Sequence, residues 1–150
     1  MSFRVIGTNH TSFTVSSLDR TLPFFLECLK FKLVSRAPRD PKIVERVTGV
    51  PGADMEIAFV SGHGHTVELI EYKAPASKGK VQARPCDTGF AHLAFNVDDV
   101  DGAVSAAAGF GVTAVSAPVA INAGPNRGRK VVYCRDADGV TFEFIEVRTT

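Results

Sequence analysis

The stretch His92-Leu-Ala-Phe-Asn-Val-Asp-Asp-Val-Asp101 has an earlier copy in the same chain, His10-Thr-Ser-Phe-Thr-Val-Ser-Ser-Leu-Asp19. Both read His-x-x-Phe-x-Val-x-x-(Leu/Val)-Asp, at an offset of 82 residues. A second pair, Gly64-His-Thr-Val-Glu-Leu-Ile-Glu71 and Gly139-Val-Thr-Phe-Glu-Phe-Ile-Glu146, repeats at an offset of 75. Each half therefore opens on a His and closes on a Glu, and the first half is the longer by seven residues. A repeat of this kind marks a duplicated supersecondary unit and outranks local propensity in deciding the fold.

Working outward from the repeats, residues 5–15 read as a strand. Ser16 or Ser17 then caps a helix over 18–29, with Asp19 in its first turn and Pro23 close behind. A strand follows at 31–37. Residues 38–52 hold Pro41, Gly49 and Pro51 and interrupt the pattern, with a short helical turn at 42–47. The extra seven residues fall here. A hairpin joins 55–61 to 66–72 across Gly62-His-Gly-His65, which reads as a solvated turn. After the linker, the pattern restarts with a strand at 90–97, a helix at 100–109 and a short strand at 112–115. The loop 118–129 leads to a second hairpin, 130–135 with 140–148, closed by Asp136-Ala-Asp-Gly139. Each half is β-α-β-β-β. The expected architecture is α+β, with paired βαβββ modules in one domain over 1–150: module one at about 5–73, a linker at about 74–88, and module two at about 89–148. Either module alone would leave one sheet face bare, so the two must combine.

Composition excludes several classes of function. The 150 residues are 45% hydrophobic and 22% charged, as in a soluble globular protein. A formal charge of +1 and the lack of a basic run argue against nucleic acid as a partner. No apolar stretch approaches a membrane span, and the start of the chain lacks a signal-peptide pattern. Cys28, Cys86 and Cys134 are odd in number and widely spaced, which reads as reduced thiols in a cytoplasmic protein.

Strand alternation places Thr66, Glu68 and Ile70 on one face and Val67 and Leu69 on the other. The second copy sets Thr141, Glu143 and Ile145 against Phe142 and Phe144. In the His strands, Phe13 and Val15, like Phe95 and Val97, form the face that packs on a helix. His10, Glu68, His92 and Glu143 thus lie opposite the packed face. Two carboxylates and two neutral imidazoles suit one divalent cation with positions left for water or substrate. A lone strand His is more often an ordinary hydrogen-bonded residue; the repetition in register is what singles these out. Glu71 and Glu146 fall by parity on the helix side or the sheet margin. Asn126, Arg127, Arg129 and Lys130 offer a clamp for an anionic substrate, and Asn126, Arg127 and Tyr133 are the substrate-binding candidates. Solvated loop charge is the competing reading for the cations.

With these residues in place, the chain resembles the vicinal oxygen chelate superfamily, which includes glyoxalase I, methylmalonyl-CoA epimerase, extradiol dioxygenases and the fosfomycin and bleomycin resistance proteins. The resemblance spans about residues 6–148. It is carried by Asn9-His10, by Val67-Glu-Leu-Ile-Glu-Tyr72, by Gly89-Phe-Ala-His-Leu-Ala-Phe-Asn-Val97 and by Tyr133-Cys-Arg-Asp-Ala-Asp-Gly-Val-Thr-Phe-Glu143. It implies a cupped sheet around one divalent metal ion (Zn, Ni, Co, Mn or Fe) held by His10, Glu68, His92 and Glu143. It also implies a lyase or isomerase of the glyoxalase I type, in which Glu143 or Glu68 moves a proton next to a metal-chelated carbonyl. A dioxygenase and a non-catalytic resistance-type binding protein are the alternatives. Segment 38–52, longer than in a compact glyoxalase I, shapes the substrate mouth, and Glu45 within it is a candidate extra base. A homodimer is expected, with the site near or across its interface.

Overall fold

The fold described here is a computed structural model covering residues 2–147. Two compact units divide between Lys78 and Gly79. In the first, β1 (Thr11–Thr14) leads into α1 (Leu18–Pro23), which runs on as a π-helical turn (Phe24–Cys28). Then come β2 (Lys32–Pro38), α2 (Pro41–Thr48), β3 (Asp54–Gly62) and β4 (His65–Ala74). The sheet order is β1-β4-β3-β2, with β1 parallel to β4 and the other pairs antiparallel. The second unit repeats the plan. Its elements are β5 (Leu93–Val97), α3 (Val100–Ala108), β6 (Thr113–Ala114), β7 (Val119–Ala120), β8 (Lys130–Arg135) and β9 (Thr141–Glu146). The order is β5-β9-β8-β6, β5 is parallel to β9, and β7 also pairs with β8. The β-α-β-β-β reading holds in each half, with β7 as an addition.

Register repeats along with topology. Ser12 lies opposite Glu68 in the first unit and Ala94 opposite Glu143 in the second. The helix-side faces are packed as alternation predicts: Val67, Leu69, Phe142 and Phe144 are all buried. In the first unit Leu18 and Leu22 of α1, which packs on β4, and Phe24 and Phe25 of the π-helical turn are buried as well. Phe25 meets Phe24 and Phe31 edge-on, with centroids 5.5 and 5.6 Å apart. Edge-to-face contacts of this kind add to the area buried.

The helix start is as expected. Ser17 caps α1, its Oγ accepting the Arg20 N–H, and Asp19 stands in the first turn. The expected single helix over 18–29 instead changes period. Pro23 ends the α segment and a π turn follows, closed by the Leu29 N–H donating to the Phe24 carbonyl at 3.0 Å. Proline brings no N–H to the i→i−4 ladder, and a widened turn is one way a helix absorbs that loss.

Two further boundaries differ from the reading of the sequence. The strand expected from residue 5 begins at Thr11, and Val5 and Ile6 are 74% and 91% exposed. The reason lies in β4: it starts at His65, and Thr11 already pairs with Val67, so residues before Asn9 lie beyond the start of that strand. The short turn expected at 42–47 is a complete helix. Asp40 caps it through the Lys42 N–H, Pro41 stands at its start, and Gly49 ends it in the left-handed conformation. The hairpin tip His63-Gly64 is exposed, as expected of a solvated turn. Positive φ at both residues gives the mirror-image turn that matches strand twist. His63 Nε2 lies 2.8 Å from the Leu29 carbonyl with its ring on Phe31, while His65 Nε2 meets Thr11 Oγ1 at 3.0 Å.

The margin of the first sheet carries an ion network. Arg36 bonds Asp19 at 2.5 Å and Glu56 at 2.8 Å, and Lys73 pairs with Glu71. Glu71 also accepts the Leu18 N–H at the start of α1, which places it on the helix side as parity predicts. The Arg36 hydrogen bonds hold the Asp19 and Glu56 carboxyls below their usual values. Burial pushes the Glu71 carboxyl up, but Lys73 and the Leu18 N–H outweigh it and leave the group lowered. Carboxyls lowered in the folded state add stability that is whole above the ordinary carboxylate range and disappears as pH falls through their folded values. Urea unfolding of Arg36→Met should therefore show a midpoint below the parent's at neutral pH, the two converging as the carboxylates protonate. A gap that widens toward acid would contradict this account of the network.

Candidate functional site

Each unit brings one His and one Glu together. His10 Nε2 lies 3.2 Å from Glu68 Oε2, and His92 Nε2 lies 3.0 Å from Glu143 Oε2. The geometry follows from the parallel pairings. Each His stands two residues before the residue that faces its Glu, level with Thr66 or Thr141 at the strand's lower end. Glu68 and Glu143 side chains are 13% and 17% exposed, and both His side chains are 31% exposed, so the pairs sit at the edge of solvent. Within each unit the group stops at these two among the described residues.

The surroundings orient the rings. His10 Nδ1 lies 2.6 Å from Asn9 Oδ1, which can only accept, so Nδ1 carries the proton of that bond. With Nδ1 protonated, a neutral ring presents its Nε2 lone pair to the Glu68 carboxylate, whereas a ring protonated at both nitrogens donates to it. Two acceptors at 3.2 Å repel unless a cation, a proton or a metal ion, lies between them. An imidazole nitrogen and a carboxylate are donor types that a divalent ion accepts, and a proton between them satisfies the pair equally. Phe59, opposite Glu68 in the register, meets His10 edge-on at 5.5 Å. In the second unit Tyr133 occupies the matching place opposite Glu143, and its ring lies 4.9 Å from His92. Phe90 stacks on His92 with ring centroids 6.0 Å apart.

Other candidates separate from these pairs. Arg129 pairs with Glu146 at 3.6 Å and Lys130 with Asp101, so two of the four loop groups are already neutralised. Asn126 and Arg127 lie on the loop entering β8, and no hydrogen bond or ion pair joins them to His92 or Glu143 among the described residues. The loop itself is ordered by its backbone: the Ile121 N–H donates to the Arg129 carbonyl and the Gly128 N–H to the Ile121 carbonyl, at 2.7 and 2.8 Å. Glu45 accepts the Gly52 N–H at 3.2 Å and so serves the turn after α2. Asp136 Oδ1 accepts from the Asp138 and Val140 N–H groups at 2.9 Å, a side-chain-stabilised hairpin turn as read from the sequence. Cys28, Cys86 and Cys134 are free, and burial pushes the Cys28 and Cys134 thiols up, away from the reactive thiolate. Sequence reasoning had assigned no role to Asn9, Phe59 or Phe90. Cross-strand register supplies the signal for Phe59, and adjacency to His10 supplies it for Asn9.

Comparison with known proteins identifies the family of the fold. The family described as Glyoxalase/Bleomycin resistance protein/Dioxygenase superfamily matches residues 7–144. A 2-epi-5-epi-valiolone epimerase from Actinomyces sp. is 30% identical over 147 residues, 95% of this chain and 80% of the epimerase. A putative lactoylglutathione lyase from Brassica oleracea var. gemmifera is 29% identical over 137 residues, 91% of this chain but 43% of the lyase. The chain thus spans under half the length of that lyase. Among solved structures, a glyoxalase family protein from Bacillus cereus superposes with a TM-score of 0.83 at 26% identity, covering 96% of this chain and 95% of its own.

Arg127 is exposed and has no partner among the described residues, whereas Arg129 is tied to Glu146. Arg127→Ala should accordingly change the free energy of unfolding by less than about 0.5 kcal/mol in urea titration. A larger loss would reveal a structural role for its guanidinium.

Proposed function

The chain belongs to the glyoxalase/bleomycin resistance protein/dioxygenase superfamily, and from that premise we propose that it is a divalent-metal-dependent lyase or isomerase that moves a proton next to a chelated carbonyl. The observation that carries this reading is the His10–Glu68 contact, where Asn9 fixes the ring so that Nε2 faces the carboxylate. The His92–Glu143 pair is its counterpart. On this reading the two pairs are halves of one four-ligand set, completed within one chain or between two chains of a homodimer. The metal ion would supply Lewis acidity to the substrate carbonyl. Glu143 or Glu68, an oxygen base at the edge of solvent, takes up and returns the proton. His10 and His92 hold position, Asn9 keeps the His10 tautomer, and Phe59 and Phe90 exclude water from the imidazole faces. The family's lyase and epimerase relatives support a proton-transfer reaction. Glutathione as co-substrate belongs to the lyases by name and is one candidate among several here. The second carboxylate favours this reading over a ring-cleaving dioxygenase built on two His and one Glu.

The direct test is metal content. Purified protein exposed to Zn, Ni, Co, Mn or Fe(II) should hold one ion per four-ligand set by elemental analysis, and Asn9→Ala should weaken that binding about 10- to 100-fold. Protein that takes up no divalent ion would end the proposal. Glu143→Gln should cost turnover by orders of magnitude. If instead it leaves ligand binding and every measured property unchanged, a sequestering protein is the better description. Mixing His10→Ala with Glu143→Ala chains tests the shared site: partial return of activity in heterodimers marks a site built across two chains, and none marks a site within one.

A further inference from the structure

The two His–Glu pairs are near copies, but the sheet beside each is not. In the first unit Ile70 follows Glu68 on the same face, with Ile57 opposite Ile70 and Phe59 opposite Glu68. Helix α2 lies over this zone: Val44 is buried with Ala53, Met55 and Ile57, and Phe59, Ile70 and Tyr72 pack against them. The second unit has the same register, with Ile145 following Glu143, Val131 opposite Ile145 and Tyr133 opposite Glu143. Its chain supplies no helix between β6 and β8. The short β7 and the loop after it stand there instead. Residues opposite one another in an antiparallel pair share a face, so Val119, opposite Val131, extends the surface. Val115 does too, one step beyond the Ala114–Cys134 pair, with its N–H on the Tyr133 carbonyl. Val131, the counterpart of Ile57, is only half-buried, whereas Ile57 is 6% exposed, and Val115 and Val119 beside it are 56% and 59% exposed. At the position where the first unit has Phe59, the second has a hydroxyl. No hydrogen bond engages the Tyr133 hydroxyl among the described residues.

We infer that the substrate lies along the second unit's sheet, where the Tyr133 hydroxyl hydrogen-bonds a substrate oxygen beside His92 and Glu143, and Val115, Val119, Val131 and Ile145 receive an aliphatic substituent. This rests on the metal-dependent reading above and deepens it. It names the substrate class as a small oxygen chelator with a compact apolar tail. In the first unit α2 occupies the equivalent surface, so the same molecule finds no room there. A tyrosine hydroxyl offered to a charged oxygen changes affinity about tenfold or more. Each methylene buried on the valine surface changes it about threefold to fourfold.

Calorimetric titration of the protein, loaded with the divalent ion it binds, with aceto-, butyro- and hexanohydroxamate reads both contacts. Parent protein should bind more tightly with each added methylene. Tyr133→Phe should weaken every hydroxamate about tenfold while leaving metal stoichiometry and the chain-length trend intact. Val119→Glu should flatten the trend. Val47→Glu, at a position 79% exposed on α2, should leave trend and affinity alone. Wild-type affinity in Tyr133→Phe overturns the hydroxyl assignment, and loss of the trend in Val47→Glu but not in Val119→Glu overturns the placement. These results fail separately from the reading beneath them. A parent protein that binds no divalent ion sinks both, whereas one that binds ion and hydroxamate but ignores Tyr133→Phe sinks this inference alone.

Discussion

Parallel pairing of the first and last strands is the constraint from which each unit's remaining features follow. Two parallel strands cannot be joined by a tight turn and need a crossover. In the first unit that crossover is α1, β2, α2 and β3; in the second it is α3 and the strands up to β8. The crossover helix covers one face, which explains why Val67, Leu69, Phe142 and Phe144 are buried while the intervening Glu68 and Glu143 retain contact with water. The parallel register also fixes each His level with a Thr two residues before its Glu. Imidazole and carboxylate therefore meet on the face that the helix leaves open. Shifting the register by one residue would send Glu68 into the helix packing, so core and site are specified by the same hydrogen bonds.

Charge in the first unit is segregated in the same way. Arg36, Asp19, Glu56, Lys73 and Glu71 compensate one another at the sheet margin, and Glu71 satisfies an orphan N–H at the start of α1. Its repeat mate Glu146 is used differently, accepting the Lys130 N–H and pairing with Arg129. The repeated residues at the margin have diverged into separate structural tasks, while the His–Glu pairs keep one geometry. That contrast is physical evidence that the two classes of repeated carboxylate serve different ends.

The module order, the opposed faces and the membership of each His–Glu pair were legible because they depend on period and repetition, which a sequence displays directly. What escaped depends on the partner that a residue finds. Residues 5–8 read as part of the first strand, yet in the register they lie beyond the start of β4. Pro41 to Thr48 looked like a brief turn because its apolar face is narrow: Val44 alone is buried, and Ile43 and Val47 remain exposed. The turn holding His63 and His65 is exposed at its tip as read, but the partners of the two rings, Leu29, Phe31 and Thr11, come from distant positions in the chain. Asn9 is the most instructive omission. Its side chain matters only once β1 has placed His10 beside Glu68, and no pattern in the sequence displays that dependence.

Asymmetry between the units has a simple origin in chain length. Seven residues more between His and Glu let the first unit build α2, whose Val44 seats on Met55 and Ile57 and removes their surface from water. The second unit spends its corresponding stretch on β7 and a hydrogen-bonded loop, and so leaves Val115 and Val119 exposed. Apolar side chains beside a polar pair are costly to leave wet, by roughly 25 cal/mol for each Å² that a ligand would cover. A duplicated unit begins with two equivalent faces. On the proposed placement of the substrate, filling one with the protein's own helix would give an incoming molecule a single orientation, and Tyr133 in place of Phe59 puts the extra hydrogen-bonding group on the face left open. Packing and polarity thus choose the same side.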